Sequence, residues 1–418
     1  MRALVISDGE HYAPVVRDAV TALPYEVVAL WLAGGSEKLR GGEDYGVPVV
    51  DSLEGAIAEL EPELVVDLSD EPVLGPRERM RIASRVLALG LPYVGADFRF
   101  DRPALARFPL PSLSVVGTSK RVGKTAVTGH VARLLSRDRR VVVVAMGRGG
   151  PREPEVVTVP PTVESLVALS RAGRHAASDH LETAALVGVP TVGCRRCGGG
   201  LAGRVSISNV ADGALAAVEL EPDLVVFDGS GAAVPPIDTD RTVAVVGGHQ
   251  DAAVVGGYLN AYRLLRADLV LVTMADSGMG WNAVRDAVLS VVGADVPVVA
   301  TQLRPRPLAD VTGRSIAYFC AAPPSAAERL GAELEAASGA SVVNVSTSLA
   351  NRTALSDELS EIDADVFVVE LKAAAVDVVA EAALARGIEV VLAANDVVAL
   401  PGQPDLDECL LKMAKFGG

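Results

Sequence analysis

Short apolar segments alternate with longer amphipathic segments along nearly the whole chain. Continuous β-branched runs are typical of strands buried on both faces, whereas apolar residues at helical spacing predict surface helices. In the N-terminal part the pattern predicts strands at Ala3–Ser7, Glu26–Leu32, Val47–Val50, Glu63–Asp67 and Pro92–Val94, with helices at Tyr12–Leu23, Leu53–Leu60 and Arg77–Leu89. Strands that alternate with helices favour a parallel sheet. We therefore predict a Rossmann-like α/β domain over residues 1–105, ending in a linker.

The same alternation continues beyond the proline-rich segment 109–111. The predicted strands are Ser112–Val116, Val141–Met146, Asp223–Asp228, Thr242–Val246, Asp268–Met274 and Val296–Thr301, and the predicted helices are Gly123–Leu135, two pieces within 162–187, Ala252–Leu265 and Asn282–Val291. This pattern predicts a central α/β domain with a parallel sheet over residues 109–306. Further strands and helices predict a C-terminal α/β segment over residues 307–418.

Composition supports an α/β protein of several domains. A chain of 418 residues is too long for one ordinary core. Half of the residues are apolar and only 4% are aromatic, which suits a valine-rich sheet covered by alanine- and leucine-rich helices. The net charge of −15 disfavours binding to nucleic acid or to an anionic membrane. An anionic small-molecule substrate would therefore require a local basic cluster.

Targeting and redox signals are weak. The first residues lack the apolar core of a signal peptide, and no apolar stretch has the length of about 20 residues that a membrane span needs. The four cysteines do not resemble a disulfide framework, and the single pair Cys194 and Cys197 is a poor zinc signature. We expect a cytoplasmic protein.

The strongest chemical signal follows the first strand of the central domain. Gly123, Lys124 and Thr125 end a glycine-bounded loop and open a helix, as in a loop that binds nucleotide phosphates. Lys124 would bind the β- and γ-phosphates, and the Thr125 hydroxyl would ligate Mg²⁺. The alternative is a purely structural turn. The candidate nucleotide-binding residues are Gly117, Thr118, Ser119, Lys120, Arg121, Gly123, Lys124 and Thr125.

A second acidic position is expected at the same site. The apolar strand Asp223–Asp228 is followed by Gly229, Ser230 and Gly231. A strand that ends in an acidic residue completes Mg²⁺ coordination in many phosphate-loop enzymes. We therefore predict that Asp228 acts at Mg²⁺ or at the attacking group.

Arginines in glycine-rich or helix-end contexts supply the expected basic cluster. Planar guanidinium groups bind phosphate through two hydrogen bonds, and glycines let backbone amides approach an anion. Each of these arginine-containing segments could instead be purely structural: a solvent-exposed turn, the end of a surface helix or a structural loop. The candidate anion-binding residues are Arg148, Arg152, Arg174, His175, Arg195 and Arg196.

The motifs together resemble a known family. The spacing Gly-Thr-x-x-x-x-Gly-Lys-Thr at 117–125 is similar to the phosphate loop of dethiobiotin synthetase. More closely, Gly-Thr-Ser-Lys-Arg-x-Gly-Lys-Thr, Ala-Met-Gly-Arg-Gly-Gly-Pro and Gly-Cys-Arg-Arg-Cys-Gly-Gly-Gly resemble the cyclic 2,3-diphosphoglycerate synthetases across nearly the whole chain. Asp228 departs from the pattern of dethiobiotin synthetase, which has a glutamate there.

The resemblance implies a P-loop NTPase core and an ATP- and Mg²⁺-dependent cyclisation of 2,3-bisphosphoglycerate, with release of ADP and phosphate. K⁺ dependence and a homodimer are further expectations from the family. Lys124, Lys120 and Asp228 would be catalytic, Arg121 would help to screen the transferring phosphoryl group, and Thr125 and Asp228 would hold Mg²⁺. The anion-binding residues would hold the bisphosphoglycerate.

Three alternatives stay open at this point. A 2-phosphoglycerate kinase would use the same cationic residues but would need a base, for which Asp228 or Asp179 could serve. A P-loop switch ATPase would carry a signature lysine at the position of Ser119 and glycines in place of Lys120 and Arg121. A non-enzymatic nucleotide sensor would show very slow turnover that does not depend on a small acid.

Overall fold

A computed structural model describes residues 1–35, 37, 39–276 and 280–416. The N-terminal part forms a sheet in the order β3-β2-β1-β4-β5-β6, parallel except for the last pair. Its elements are β1 Arg2–Ser7, α1 Ala13–Ala22, β2 Glu26–Leu32, β3 Val49–Val50, α2 Leu53–Leu60, β4 Leu64–Asp67, α3 Pro76–Ala88, β5 Tyr93–Val94 and β6 Arg99–Phe100.

The central part alternates strands and helices in the same way. Its elements are β7 Ala106–Arg107, β8 Ser112–Gly117, α4 Lys124–Leu135, β9 Val141–Gly147, β10 Glu155–Val157, α5 Val163–Arg171, α6 Asp179–Val187, β11 Thr191–Cys197, β12 Ile207–Ser208, α7 Val210–Val218, β13 Leu224–Asp228, β14 Ile237–Asp238, β15 Arg241–Gly247, α8 Ala252–Val255, α9 Asn260–Leu265, β16 Leu269–Thr273, α10 Trp281–Val292 and β17 Val298–Pro307.

The C-terminal part includes a 3₁₀-helix and a π-helix. Its elements are β18 Ser315–Phe319, the 3₁₀-helix Pro324–Ala326, α11 Ala327–Ser338, β19 Ser341–Ser346, α12 Arg352–Leu359, β20 Val366–Glu370, the π-helix Ala375–Ala380, α13 Glu381–Ala385, β21 Glu389–Ala399 and α14 Leu406–Met413.

One large sheet joins the central and C-terminal parts. Its main path runs β10-β11-β9-β13-β8-β15-β16-β17-β21-β20-β18-β19, and most neighbours along it are parallel. The antiparallel pair of β17 and β21 makes the connection. The carboxyl ends of β8, β9 and β13 therefore lie side by side, where open α/β sheets bind ligands. The observed architecture is the mixed, mostly parallel α/β fold that the sequence predicts.

The core beneath the phosphate loop is built from β8 and α4. Val115 of β8 and Val127 and Val131 of α4 are fully buried in one apolar cluster. Leu406 and Leu410 of α14 also belong to this cluster, so the last helix of the described chain packs against α4. Burial of a leucine of this kind contributes about 1.5–3 kcal/mol to folding. The helix that presents Lys124 is thus held on both sides.

Three predicted element boundaries are wrong. The predicted helix Ala252–Leu265 is two helices, because glycines 256 and 257 and the left-handed Tyr258 (φ +49°) interrupt it. The last predicted strand of the central domain continues to Pro307, because β21 pairs with its extension. Arg195 and Arg196 lie on β11 rather than in a loop, since β9 and β12 pair with that end of the strand.

Every helix in the described ranges falls short of the length and apolar character needed to cross a membrane.

Candidate active site

The phosphate loop connects β8 to α4. Gly117 ends the strand, and a Cβ there would lie 2.8 Å from the carbonyl oxygen of Gly231, so a larger residue would displace the loop. Gly123 precedes the helix with φ +78°, a left-handed conformation that glycine adopts without strain. The N–H groups at the start of α4 are left without helical partners and form a binding site for anions.

Thr118 anchors this loop from within. Its backbone N–H donates to the carbonyl oxygen of Val245 (3.0 Å), and its hydroxyl donates to Oε1 of Gln250 (2.7 Å). The side chain is buried. Thr118 therefore fixes the loop on β15, and its amide is already engaged within the protein.

The next residues face outward. Ser119 is half-buried, whereas Lys120 and Arg121 are exposed. Arg121 has φ +59°, a left-handed backbone that is unusual for a residue with a Cβ and that is frequent at ligand-binding turns.

On one side of the loop, Lys124 contacts a buried carboxylate and lies within the electrostatic reach of another. Its Nζ lies 2.5 Å from Oδ1 of Asp228, and the Thr128 hydroxyl donates to the same oxygen (2.8 Å). Asp179 at the start of α6 lies against Gly147, where a Cβ would be 2.9 Å from its Oδ2. Burial raises the pKa of Asp179, the charge of Lys124 opposes that shift, and the charge of Asp228 adds to it. We call Asp179 and Asp228 the carboxylate pair.

The carboxylate pair and Thr125 fit Mg²⁺, although the chain alone does not form a complete cage for it. Hydroxyl and carboxylate oxygens are the hard donors that Mg²⁺ prefers. Within the described residues, however, no group of three or more histidine, cysteine, aspartate or glutamate side chains is arranged to hold a metal ion. Mg²⁺ commonly takes its remaining ligands from phosphate and water, so this donor set suits an ion that arrives with a nucleotide.

On the other side of the loop, positive side chains from separate motifs converge on Gly231. The position that a Cβ would take at Gly231 lies 3.2 Å from Nη2 of Arg148, 3.4 Å from Cγ of Lys120 and 3.8 Å from Nη2 of Arg196. A cleft of about 470 Å³ opens beside them, and its lining includes Arg148, Arg196 and the glycines 198–200. We call this the cationic cleft.

Arg196 is held in place but keeps a free donor. Its Nη1–H donates to the carbonyl oxygen of Gly198 (2.8 Å) and its Nη2–H to that of Ser230 (2.8 Å). Its Nε is buried and has no hydrogen-bond partner among the described residues. Burial lowers the pKa of Arg196, and the charge of Arg148 adds to this effect. Two guanidinium groups that both line the cleft favour the binding of an anion there.

The N-terminal part packs against a loop beside the cationic cleft. Ala202, in the glycine-rich loop after β11, packs in the apolar cluster of the N-terminal sheet together with Leu259 and Tyr262. Nε of Arg263 donates to the carbonyl oxygen of Ala232 (2.8 Å), next to Gly231. The loops that line the cationic cleft are thereby fixed between two parts of the chain.

The remaining predicted substrate-binding residues lie outside the lining of the cleft. Arg174 is exposed and forms an ion pair with Glu155 (2.8 Å). Arg152 is exposed, and its carbonyl oxygen accepts a hydrogen bond from the Asn209 amide (3.1 Å). His175 is exposed beside Gly149, and its charge acts on Asp179. These roles stay predictions.

Arg195 and Arg196 differ although they are adjacent. Successive side chains of a strand point to opposite faces, so only one of them faces a given ligand. Arg196 lines the cleft, whereas Arg195 is exposed and does not. Two arginines that are adjacent in the sequence therefore do not both line the cleft.

Sequence reasoning did not assign roles to several residues of the site. Thr128 follows Lys124 by four positions on one helix, a spacing that places both on the same face. This spacing was a usable signal for the contact of Thr128 with Asp228. Gln250 and Glu182 come from distant elements, and only the tertiary fold brings them to the loop.

Family models and related proteins identify the family to which the chain belongs. Family models described as cyclic 2,3-diphosphoglycerate synthetase match as the N-terminal domain over residues 2–101, the P-loop domain over 112–301 and the C-terminal domain over 307–396. Two relatives named cyclic 2,3-diphosphoglycerate synthetase match almost end to end. The relative from Rubrobacter xylanophilus is 48% identical over 100% of this chain and 98% of its own, and that from Thermococcus kodakarensis is 42% identical over 99% and 98%.

A solved structure, LpxK from Aquifex aeolicus in complex with ATP, is similar over 74% of this chain and 90% of its own at 13% identity. Its TM-score of 0.42 is too low to carry an argument. The family models and the full-length relatives are sufficient. The chain is an enzyme of the cyclic 2,3-diphosphoglycerate synthetase family, and its central domain is a nucleotide-binding P-loop domain.

Proposed function

We propose that this protein uses ATP to convert 2,3-bisphosphoglycerate into cyclic 2,3-diphosphoglycerate, with release of ADP and inorganic phosphate. The observation that carries the proposal is the convergence of Lys120, Arg148 and Arg196 on Gly231. These cations come from separate motifs, lie beside the phosphate loop and line or border a cleft. Such a cleft suits a small substrate with several negative charges. The names of the relatives point to the same substrate class.

The chemistry requires two steps. The γ-phosphoryl group of ATP is transferred to an oxygen of one substrate phosphate, which breaks the bond to ADP and forms a phosphoanhydride. An oxygen of the other substrate phosphate then attacks the phosphorus atom of this anhydride that is bonded to the ester oxygen of the glycerate. The anhydride bond breaks, inorganic phosphate leaves and the ring closes. Phosphate oxygens are already ionised near pH 7, so neither step needs a strong general base.

The residues divide this work. Lys124 binds the β- and γ-phosphates from the start of α4, and the N–H groups of the loop support them. Arg148, Arg196 and Lys120 bring the substrate phosphates together by reducing their mutual repulsion, which is the main electrostatic barrier. Asp228 keeps the Lys124 ammonium in position in the free protein, since their side chains are in contact. Mg²⁺, held by Thr125 and Asp228, would supply charge neutralisation at the phosphates.

We extend the proposal to the setting of the reaction. We propose that it takes place in the cytoplasm, where ATP is available as the donor, and that the enzyme is a K⁺-dependent homodimer, as the resemblance to the family implies. The exposed side chains of Leu201, Ile207 and Leu215 support a protein contact on that segment. Light scattering coupled to size exclusion measures the mass of the assembly, and a monomer would remove the dimer from the proposal.

A 2-phosphoglycerate kinase is the second candidate, because Asp179 supplies what a kinase would need. This carboxyl group lies near Lys124 and Asp228, and burial raises its pKa, as in a general base for a hydroxyl group. Product stoichiometry separates the two reactions. Transfer to 2-phosphoglycerate yields ADP and 2,3-bisphosphoglycerate without free phosphate, whereas cyclisation yields ADP, the cyclic product and free phosphate.

The test is to incubate the purified protein with MgATP and K⁺, and to add either 2,3-bisphosphoglycerate or 2-phosphoglycerate. We expect ADP and phosphate in equal amounts, and only with 2,3-bisphosphoglycerate. ADP without phosphate upon addition of 2-phosphoglycerate would instead establish the kinase. ATP hydrolysis at a rate that neither 2,3-bisphosphoglycerate nor 2-phosphoglycerate changes would contradict both proposals.

A further inference from the structure

The C-terminal part of the chain brings a lysine to the phosphate loop. Strands β20 and β21 lie over the groove between α4 and α6, and a small cavity of about 30 Å³ remains there. Its lining includes Thr125 of α4, Glu182 of α6 and Lys372, which follows β20. Because Thr125 lies in the first turn of α4, where the loop binds phosphates, Lys372 reaches the phosphate end of this groove.

The side chain of Lys372 is charged and only loosely held. Its Nζ lies 3.7 Å from Oε1 of Glu182, beyond hydrogen-bond distance, and 38% of the side chain is exposed. The negative charges of Glu182, Glu370 and Asp179 together raise the pKa of Lys372. An ammonium group has three N–H donors, so Lys372 can bind a phosphate oxygen without first losing a tight hydrogen bond.

The backbone that presents Lys372 is unusual. The N–H of Lys372 donates to the carbonyl oxygen of Glu370 (2.7 Å), and Ala373 has φ +47°. A left-handed conformation at a residue with a Cβ is strained and persists only where the surroundings impose it. The π-helix Ala375–Ala380 follows directly, and π-helical turns are frequent at functional sites.

The surroundings that impose this turn belong to the P-loop part of the chain. Leu371 and Val376 pack in one apolar cluster with Leu166 of α5 and Leu181 of α6. The segment around Lys372 is thus fixed against α5 and against α6, which carries Asp179 and Glu182. This arrangement keeps Lys372 in the lining of the cavity that Thr125, in the first turn of α4, also lines.

The carboxylates near Lys124 explain why a second cation, Lys372, would be useful at this site. The cationic cleft borders Gly231, whereas Asp228 contacts Lys124 and Glu182 forms an ion pair with Lys372. A phosphoryl group in transfer would meet those carboxylates with Lys124 as its main counter-charge among the loop residues. A second cation beside those carboxylates lowers the repulsion at the step where charge is most concentrated.

We propose that Lys372 contacts the phosphoryl group as it moves from ATP to the acceptor, leaving Glu182 when nucleotide binds. No bond to Lys372 forms or breaks. The bond between the γ-phosphorus and the ADP oxygen breaks while a bond to the acceptor oxygen forms, and the ammonium group hydrogen-bonds an equatorial oxygen throughout. The inference rests on phosphoryl transfer as proposed above, but not on the identity of the acceptor.

The test uses the full-length protein with Lys372→Met, Lys372→Arg and, as a matched control, Lys412→Met. Lys412 is an exposed lysine of α14 that pairs with Glu408. We expect Lys372→Met to lower kcat about 100-fold, with KM values within threefold and an unchanged melting temperature. Lys372→Arg should recover much of the loss, and Lys412→Met should match the wild type.

A second readout does not depend on the acceptor. Calorimetry measures the affinity for MgADP with and without aluminium fluoride, a mimic of the transferring phosphoryl group. Lys372→Met should bind MgADP normally and lose about 100-fold in affinity for the aluminium fluoride complex. Normal affinity for that complex would overturn the inference, as would a raised KM for the acid alone, which would place Lys372 on the substrate phosphate. A Glu182→Gln variant in which kcat and the melting temperature both fall would also overturn it. The ion pair between Lys372 and Glu182 would then serve only to hold the C-terminal part against α6.

If the wild type makes no cyclic product but Lys372→Met still loses aluminium fluoride affinity, the proposed reaction fails and the role of Lys372 stands.

Discussion

The two sides of the phosphate loop carry opposite charge. On one side, Arg148, Arg196 and Lys120 converge on Gly231 and border an open cleft. On the other, Asp228 is buried in contact with Lys124. The first side is suited to a polyanion and the second to a nucleotide with its metal ion. Damage to the first side should therefore affect the acid substrate, and damage to the second should affect catalysis with ATP.

The largest effect is expected at Lys124, between the two sides. Lys124→Met removes the cation that binds the β- and γ-phosphates, so we expect kcat to fall about 1000-fold. It also leaves the buried Asp228 without its counter-charge, so thermal unfolding should be measured alongside turnover. A folded variant with kcat within tenfold of the wild type would show that the loop does not act on the transferred phosphoryl group.

Asp228 tests the carboxylate side. Asp228→Asn keeps the shape but removes the charge, so we expect kcat to fall about 100-fold and half-maximal activity to require more Mg²⁺. Asp228→Glu restores a carboxylate and should recover part of the activity. Mg²⁺ titrations at saturating substrates measure both effects, and an unchanged Mg²⁺ requirement in Asp228→Asn would remove this residue from the metal site.

Arg196 and Arg195 provide a matched pair for the cationic side. Arg196→Met should raise KM for 2,3-bisphosphoglycerate about 10- to 100-fold, since hydrogen bonds to charged groups contribute about 1.5–3 kcal/mol. KM for ATP should change less than twofold. Arg195→Met, one residue away on the opposite face of β11, should leave both constants near wild type. Equal effects in the two variants would contradict the assignment of the cleft.

The smallest effect concerns Glu182 and stability. Burial raises the pKa of Glu182 to about 7, so the folded state holds its proton more tightly than the unfolded chain. The free energy of unfolding should therefore decrease as pH rises from the ordinary carboxyl pKa towards 7. Glu182→Gln has no carboxyl group to titrate at this position. Between pH 5 and pH 8, its free energy of unfolding, measured by chemical denaturation, should therefore decrease less than that of the wild type. Parallel pH profiles would contradict the raised pKa.

The sequence predicts the side of the site that depends on local pattern. Gly123, Lys124 and Thr125 lie between a strand and a helix, and that local order is sufficient to place them at the carboxyl end of β8. Asp228 follows from a buried strand in the same way, because β13 pairs with β8. The mostly parallel α/β fold was predictable for the same reason.

The rest depends on contacts between distant segments. The difference between Arg195 and Arg196 follows from the pairing of β11, which extends into a segment that reads as a glycine loop. Lys372 reaches Glu182 only because β21 pairs with β17 and joins the C-terminal strands to the central sheet. Neither register can be inferred from spacing along the chain.

The most direct test of the central claim is ³¹P NMR of the purified protein with 2,3-bisphosphoglycerate, MgATP and K⁺. We predict loss of both phosphomonoester signals, new upfield phosphoanhydride signals, and ADP and phosphate in equal amounts. Arg196→Met should show the same products at a lower rate below saturation. Unchanged phosphomonoester signals in the presence of folded protein that binds ATP would contradict the assignment of the cationic cleft to this substrate.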